Sequence, residues 1–252
     1  MGRVLIWFSC GAASAIAAKV ALEKYQDREC EICYTDPGAE HEDNRRFMSD
    51  IEKALGVKVR LMKSEKYNDI YEVFTRVKYI VGVAGAPCTK EMKRKVREQY
   101  QRGDDHHVFG YTKGEEMRSW RFGCQNPGVS YESPLIGGGY SKQDCFSELK
   151  RMGVKLPAMY LMGYKNNNCI GCVKGQSGYW NKIRRDFPDT FQKTAKLERE
   201  LNAAINKRYE KGKRIRVFLD ELDSSAGRYE AEPAIPCGAV CEIDFGGDHD
   251  TR

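Results

Sequence analysis

The sequence predicts an α/β protein built on a doubly wound, mainly parallel sheet flanked by helices. Three observations carry this. Short apolar runs end in small or turn-forming residues; segments of helical periodicity lie between them; and strand, helix, strand, helix, strand follow one another across residues 4–62. Parallel neighbours need a crossover of about a dozen residues or more, which these intervening helices supply.

Val4-Leu5-Ile6-Trp7-Phe8 reads as a buried strand, stopped by Ser9-Cys10-Gly11. A helix is predicted from Ser14 to about Glu23, with Ile16, Ala17, Val20 and Ala21 on apolar rows. Glu31–Thr35 is a second strand, closed by Asp36-Pro37-Gly38. A helix from about Glu42 places Phe47, Ile51 and Leu55 on one face, and Gly56 stops it. Val57–Met62 alternates as a third strand, and His107–Tyr111 reads as a further one. Phe74–Val83 is ambiguous. Thr89–Gln101, Lys142–Met152 and Gln192–Tyr209 are predicted helical, the last from the row Leu197, Leu201, Ile205, Tyr209. The division expected is a core over 1–165 and a cysteine-bearing region with an acidic tail over 166–252.

The chain has 252 residues, enough for one α/β domain or for a core with a small appendage. Its mean hydropathy of −0.64 and short apolar runs exclude an integral membrane protein. Val4–Ala18 mimics a signal peptide, but Ser9, Cys10, Gly11 and Ser14 interrupt it with a turn pattern. Met1-Gly2 lacks the downstream Ser or Thr of a myristoylation signal. The ten cysteines are not needed as staples in a chain of this size, so a reducing, cytoplasmic setting is expected. Residues 217–252 carry nine Asp or Glu against Arg228 and Arg252, leaving a basic body suited to phosphate-bearing ligands or to a plain solvated face. Basic stretches occur at Lys90–Arg102, at Lys174–Arg185 and at Lys207–Arg216. In the second, Tyr179 and Trp180 are either base-stacking or core residues. The third reads as a helix end favoured by its dipole. None of the four histidines has metal-ligand spacing.

The loop Ser9-Cys10-Gly11-Ala12-Ala13-Ser14 joins a buried strand to a helix. Small residues there let backbone N–H groups approach an anion, and the helix start adds donors and a positive dipole end. A tight turn with nothing bound would look the same. Asn168-Cys169-Ile170-Gly171-Cys172 puts two thiols on one turn, which suits zinc or one edge of an iron–sulfur cluster. Further ligands would come from Cys88, Cys124, Cys237 and Cys241; a set made of Cys169, Cys172, Cys237 and Cys241 is the local alternative.

The loop resembles the pyrophosphate-binding loop of the adenine-nucleotide α-hydrolase-like (PP-loop) superfamily, Ser-Gly-Gly-Lys-Asp-Ser. Ser9, Gly11 and Ser14 match, Cys10 replaces a glycine, and Ala12-Ala13 replace the Lys-Asp pair, which puts ATP cleavage in doubt. Thr35-Asp36-Pro37-Gly38 with His41-Glu42, Cys88-Thr89-Lys90-Glu91-Met92-Lys93, Phe109-Gly110-Tyr111 with Glu115, Glu116 and Arg118, Pro134-Leu135, Ser141–Asp144 and Tyr160–Tyr164 resemble successive segments of the phosphoadenosine phosphosulfate (PAPS) reductases. The similarity spans roughly residues 3–190 and is closest to phage-encoded members. It implies a sheet of about five strands. It also implies an adenine nucleotide at Ser9, Cys10, Gly11, Ala12, Ala13, Ser14, Asp36, Glu116 and Arg118, with Mg²⁺ as a possible companion.

In related adenylylsulfate reductases a four-iron cluster (4Fe-4S) is held by a Cys-Cys pair and a later Cys-x-x-Cys. The resemblance therefore implies Cys88, Cys169 and Cys172 as ligands. Pro87 stands where the neighbouring cysteine belongs, so Cys241 or Cys237 completes the set; zinc is the alternative metal. Pro236-Cys237-Gly238 resembles the Glu-Cys-Gly segment that carries the reductase nucleophile, with Pro236 in place of the Glu, so nucleophile and ligand readings of Cys237 compete. The implied partners are a thioredoxin-like reductant or a sulfur donor, with nucleic acid and a second copy of the chain left open. The expected activity is adenine-nucleotide-dependent sulfur chemistry. The alternatives are thiolation of a nucleic acid or small molecule through adenylation, and a non-catalytic binding protein with a structural metal.

Overall fold

The run Val4–Phe8 is apolar at every position because it forms the central strand, covered on both faces. In the computed structural model, which describes residues 2–82 and 85–237, this strand (β1) lies in a five-stranded sheet. β2 (Cys30–Thr35) and β3 (Val59–Met62) lie on one side of it; β4 (His106–Phe109) and β5 (Ser130–Glu132) lie on the other. The order is β3-β2-β1-β4-β5 and every pairing is parallel. Ile6 pairs with Ile32 on β2 and with Val108 on β4, which fixes the register at the centre. Side chains alternate between two cores: Val4, Ile6 and Phe8 on one face, Leu5 and Trp7 on the other.

Helix α1 (Ala12–Lys24) packs on the first of these cores, and its small Ala12, Ala15, Ala17, Ala18 and Ala21 are all buried there. It begins two residues before the predicted start, because Gly11 rather than Ser14 occupies the cap position. α2 (Asn44–Leu55) buries Phe47 and Ile51 on the same side and ends at Gly56, whose φ of +68° favours glycine. The ambiguous segment Phe74–Val83 begins inside α3 (Ile70–Val77), which is capped by Asp69, whose carboxylate accepts a hydrogen bond from Glu72 N at 2.8 Å.

A third apolar cluster, centred on the fully buried Trp180, joins residues 67–92 to 159–222 across the expected boundary at 165/166. Tyr179 and Trp180 belong to this core, so the base-stacking reading of that pair is set aside. The predicted helix Gln192–Tyr209 is corrected as well. The helix Pro188–Leu201 stops at Asn202, which adopts a left-handed conformation, and the chain then forms an antiparallel hairpin of β6 (Asn206–Glu210) and β7 (Lys213–Val217). The third basic stretch is therefore a β-ribbon, not a helix end.

Up to Cys237 the acidic segment lies against residues 165–179. The Glu232 carboxylate accepts hydrogen bonds from Gly178 N and Tyr179 N (2.5 and 2.9 Å), and Asn166 and Asn168 both donate to Ile235 O (2.6 and 3.0 Å). Cys241 lies outside the described residues. No helix among the described residues is long and apolar enough to cross a membrane.

Candidate functional site

After β1 the chain runs outward through β2 and β3, then crosses back to β4 on the other side of β1. The carboxyl ends of β1 and β4 therefore splay into a crevice, the position where open parallel sheets bind ligands. A pocket of about 420 Å³ occupies it, lined among others by Ser9, Gly11, Ala13, Ser14, Thr35, Gly110, Arg118 and Cys237. That volume suits a nucleotide-sized molecule.

The loop is held by its own hydroxyls. Ser14 Oγ accepts from Ser9 N at 3.0 Å, lies 3.1 Å from Ser9 Oγ and donates to Gly11 O at 2.9 Å. Cys10 takes φ +53°, the conformation that explains why glycine is usual there, and its thiol is buried away from the pocket. Burial pushes that thiol well above its ordinary range. Ala12 is likewise buried, so of the predicted loop residues Ser9, Gly11, Ala13 and Ser14 line the pocket while Cys10 and Ala12 support it. Gly110 is required by close approach: a Cβ there would stand 2.6 Å from Ser14 Cα.

Two predicted residues stand apart from the pocket lining. The Asp36 carboxylate accepts from Gly38 N (2.8 Å) and pairs with Lys63 (3.3 Å), leaving its neighbour Thr35 on the wall. Glu116 is exposed at the start of the helix Glu116–Gln125. Glu115 is the lining residue, bonded to Arg118 and to Thr112, so the Glu-x-x-Arg spacing runs from 115 to 118. Arg118 lies over the Tyr111 ring at 5.0 Å.

Cations missing from the loop arrive from other elements. Lys93 and Lys142 both line the pocket. Lys93 sits in a π-helical turn, Lys90–Arg94, inside the basic helix, a local widening that is frequent at functional sites. Its ammonium is buried, 3.4 Å from Glu40, whose other oxygen accepts from Tyr34 OH and Asn44 Nδ2 (2.7 Å each). Burial opposes the charge on Lys93, but Cys237, Glu40, Cys169 and Cys88 around it hold its pKa well above the ordinary value. Burial lowers that of Lys142, which donates to Lys165 O and Asn166 Oδ1.

The three asparagines before the Cys-x-x-Cys were not anticipated as site residues. Asn166 and Asn168 reach the Ile235 carbonyl, whereas Asn167 Nδ2 reaches Cys10 O and Asn44 Oδ1 (2.7 Å each). The triplet thus ties the loop to the irregular segment that carries Cys237. Asn167 Oδ1, buried and on the pocket wall, has no hydrogen-bond partner among the described residues.

Cys237 also lines a small adjoining cavity with Cys88, Cys169, Cys172 and Lys93. Burial pushes the Cys88 and Cys172 thiols up to about 12 and about 11, and raises Cys169 well above its usual value. All nine described cysteines are free thiols, and Cys124 is exposed, away from this group. Among the described residues no group of three His, Cys, Asp or Glu side chains is arranged to hold a metal ion. By donor chemistry alone, soft sulfur atoms around a small cavity fit an iron–sulfur cluster or zinc.

Fold and pocket together define a parallel α/β protein with an anion-suited crevice at the sheet's switch point and thiols on one wall. No known family model matches the chain. A protein of Methanocaldococcus jannaschii described as uncharacterized is 22% identical over 200 residues, 78% of this chain and 42% of its own length. Among solved structures, a 4-thiouridine synthetase in complex with RNA and ATP aligns over 79% of this chain and 53% of its own, with 16% identity and a TM-score of 0.37. The chain thus spans about half, or less, of the length of these proteins.

Proposed function

We propose that the protein binds an adenine nucleotide in the crevice between β1 and β4 and performs sulfur chemistry on it, as a PP-loop enzyme of PAPS/adenylylsulfate reductase type. The observation that carries this reading is the position of Cys237, on the wall shared by the pocket of the Ser9–Ser14 loop and the cavity of Cys88, Cys169 and Cys172. The loop N–H groups and the ammonium and guanidinium groups of Lys93, Lys142 and Arg118 receive the phosphate and sulfate oxygens.

The Cys237 thiolate attacks the sulfur of the adenylyl sulfate. The S–S bond forms as the S–O bond to phosphate breaks, giving an enzyme S-sulfonate and the nucleoside monophosphate, which leaves with the bonding electron pair. A thioredoxin-type dithiol then supplies two electrons, releasing sulfite and restoring the thiol while it becomes a disulfide. Cys88, Cys169 and Cys172, with Cys241 as fourth ligand, would hold an iron–sulfur cluster, or zinc in its place. Such a group would brace this wall and set its electrostatics. The adenylation reading is less well supported: Ala12 and Ala13 offer no carboxylate for Mg²⁺, and Asp36 is engaged with Gly38 and Lys63.

Anaerobic protein incubated with adenylyl sulfate or its 3′-phosphorylated form, without reductant, is expected to gain the mass of one SO₃ group on the peptide containing Cys237. Iron, sulfide and zinc analysis of the same preparation identifies the metal. ATP turnover with no sulfonate adduct from either sulfated nucleotide would overturn the reductase reading in favour of adenylation.

A further inference from the structure

The β6–β7 ribbon carries charge that the pocket does not use. Residues 207–216 contain Lys207, Arg208, Lys211, Lys213, Arg214 and Arg216 against a single acid, Glu210. The ribbon is a separate two-stranded sheet whose root, Asn206 and Val217, is buried and whose outer part is exposed apart from the half-buried Ile215. Lys211 and Gly212 both take positive φ (+51° and +75°), giving the tight turn that matches strand twist.

Register sorts the charges by face. Directly opposed residues share a face, and faces alternate along a strand. Asn206/Val217, Arg208/Ile215 and Glu210/Lys213 lie on one side, where Arg208 is paired with Glu210 at 2.9 Å. Lys207/Arg216 and Tyr209/Arg214 lie on the other. That second face presents Tyr209, 66% exposed, among three cations, and none of these makes an ion pair among the described residues. Lys207 Nζ stands 5.9 Å from the centroid of the Tyr209 ring and Arg214 lies directly opposite it; an exposed ring flanked by cations is a platform on which a base stacks while neighbouring phosphates are neutralised.

We propose that this face binds a single-stranded segment of nucleic acid, with one base on Tyr209 and phosphates at Lys207, Arg214 and Arg216. A paired duplex hides its base faces and offers Tyr209 nothing to stack on, so an unpaired strand is the occupant the ring favours. The surface is independent of which sulfur reaction the crevice performs.

The test is fluorescence anisotropy with a labelled oligo(dT) and with the same strand annealed to oligo(dA), across a salt series. The wild-type chain is expected to prefer the single strand. Tyr209→Ser should weaken its binding about five-fold or more, while Tyr209→Phe retains it. Lys207→Gln/Arg214→Gln/Arg216→Gln should lower the slope of log K against log salt by about two. Because all four side chains are exposed, unchanged thermal unfolding is expected of every variant. Equal binding of duplex and single strand, no binding by the wild type, or binding indifferent to both variants would overturn the proposal.

Discussion

The two ends of the central strand β1 differ in what they do with charge. At its amino end Arg3 is buried and fully engaged. Its guanidinium forms a two-pronged pair with Asp105 (2.8 and 3.1 Å) and also reaches Glu31 and the Tyr100 hydroxyl. At its carboxyl end the strand opens into a crevice, and Lys93, Lys142 and Arg118 gather around a loop of small residues. The same strand supplies both ends, so the difference comes from the connections. The amino-end charges close on one another and serve stability, whereas the carboxyl-end loops leave backbone donors and cations facing a cavity.

The largest expected effect is at the open end. Cys237→Ser should lower sulfonucleotide turnover by on the order of a thousand-fold or more, with nucleotide affinity and unfolding midpoint unchanged. At the closed end Arg3→Ala should do the reverse. Leaving the buried Asp105 without its partner is expected to cost about 3–5 kcal/mol in denaturant unfolding, with nucleotide affinity retained by the folded fraction. If Arg3→Ala weakens nucleotide binding as much as it weakens the fold, the two ends are not separable.

An intermediate effect is expected from the asparagine triplet. Asn166→Ala/Asn168→Ala frees the Ile235 carbonyl and so loosens Cys237. Turnover should fall roughly ten-fold or more, and by more than nucleotide affinity does, because a small misplacement of a reacting group is costly. Asn167→Ala, which releases the loop at Cys10, should instead weaken nucleotide binding. The smallest effect is in pH dependence. Burial works to raise the Asp105 carboxyl, but the Arg3 pair and the Arg102 N–H hold it below the usual carboxylate range. A depressed folded-state value means that this stabilisation is complete above the unfolded-state value near ~4 and is lost as the pH falls through the folded-state value. Asp105→Asn should flatten that acid limb in urea titrations at stepped pH.

These contrasts also mark what the sequence discloses. The runs 4–8 and 31–35 and the glycine at 56 are local signals, and the strands and helix end they specify form where expected. Leu197, Leu201, Ile205 and Tyr209 mislead because a spacing of four fits a helical row and also an alternating strand; the left-handed Asn202 that separates the two regimes has no signature as strong as glycine. The loop and the cysteine pair were legible because their residue types carry chemistry at short spacing. Lys93 stood in the Cys88–Lys93 segment and the first basic stretch but was not set apart from its basic neighbours, since its place between pocket and thiols lies in contacts with distant residues. The Asn166–Asn168 triplet was equally silent, its meaning lying in contacts with residues 10, 44 and 235.

The most direct test of the central claim, that an adenine nucleotide sits against Cys237, is site-resolved alkylation. The folded protein is treated briefly with iodoacetamide, with and without saturating adenosine 5′-monophosphate or adenylyl sulfate, and each cysteine peptide is quantified by mass spectrometry. Cys237 is expected to react in the free protein and to be shielded by the nucleotides, with Ser14→Tyr abolishing the shielding. Nucleotide binding that leaves Cys237 alkylation unchanged, or that survives Ser14→Tyr, would contradict it.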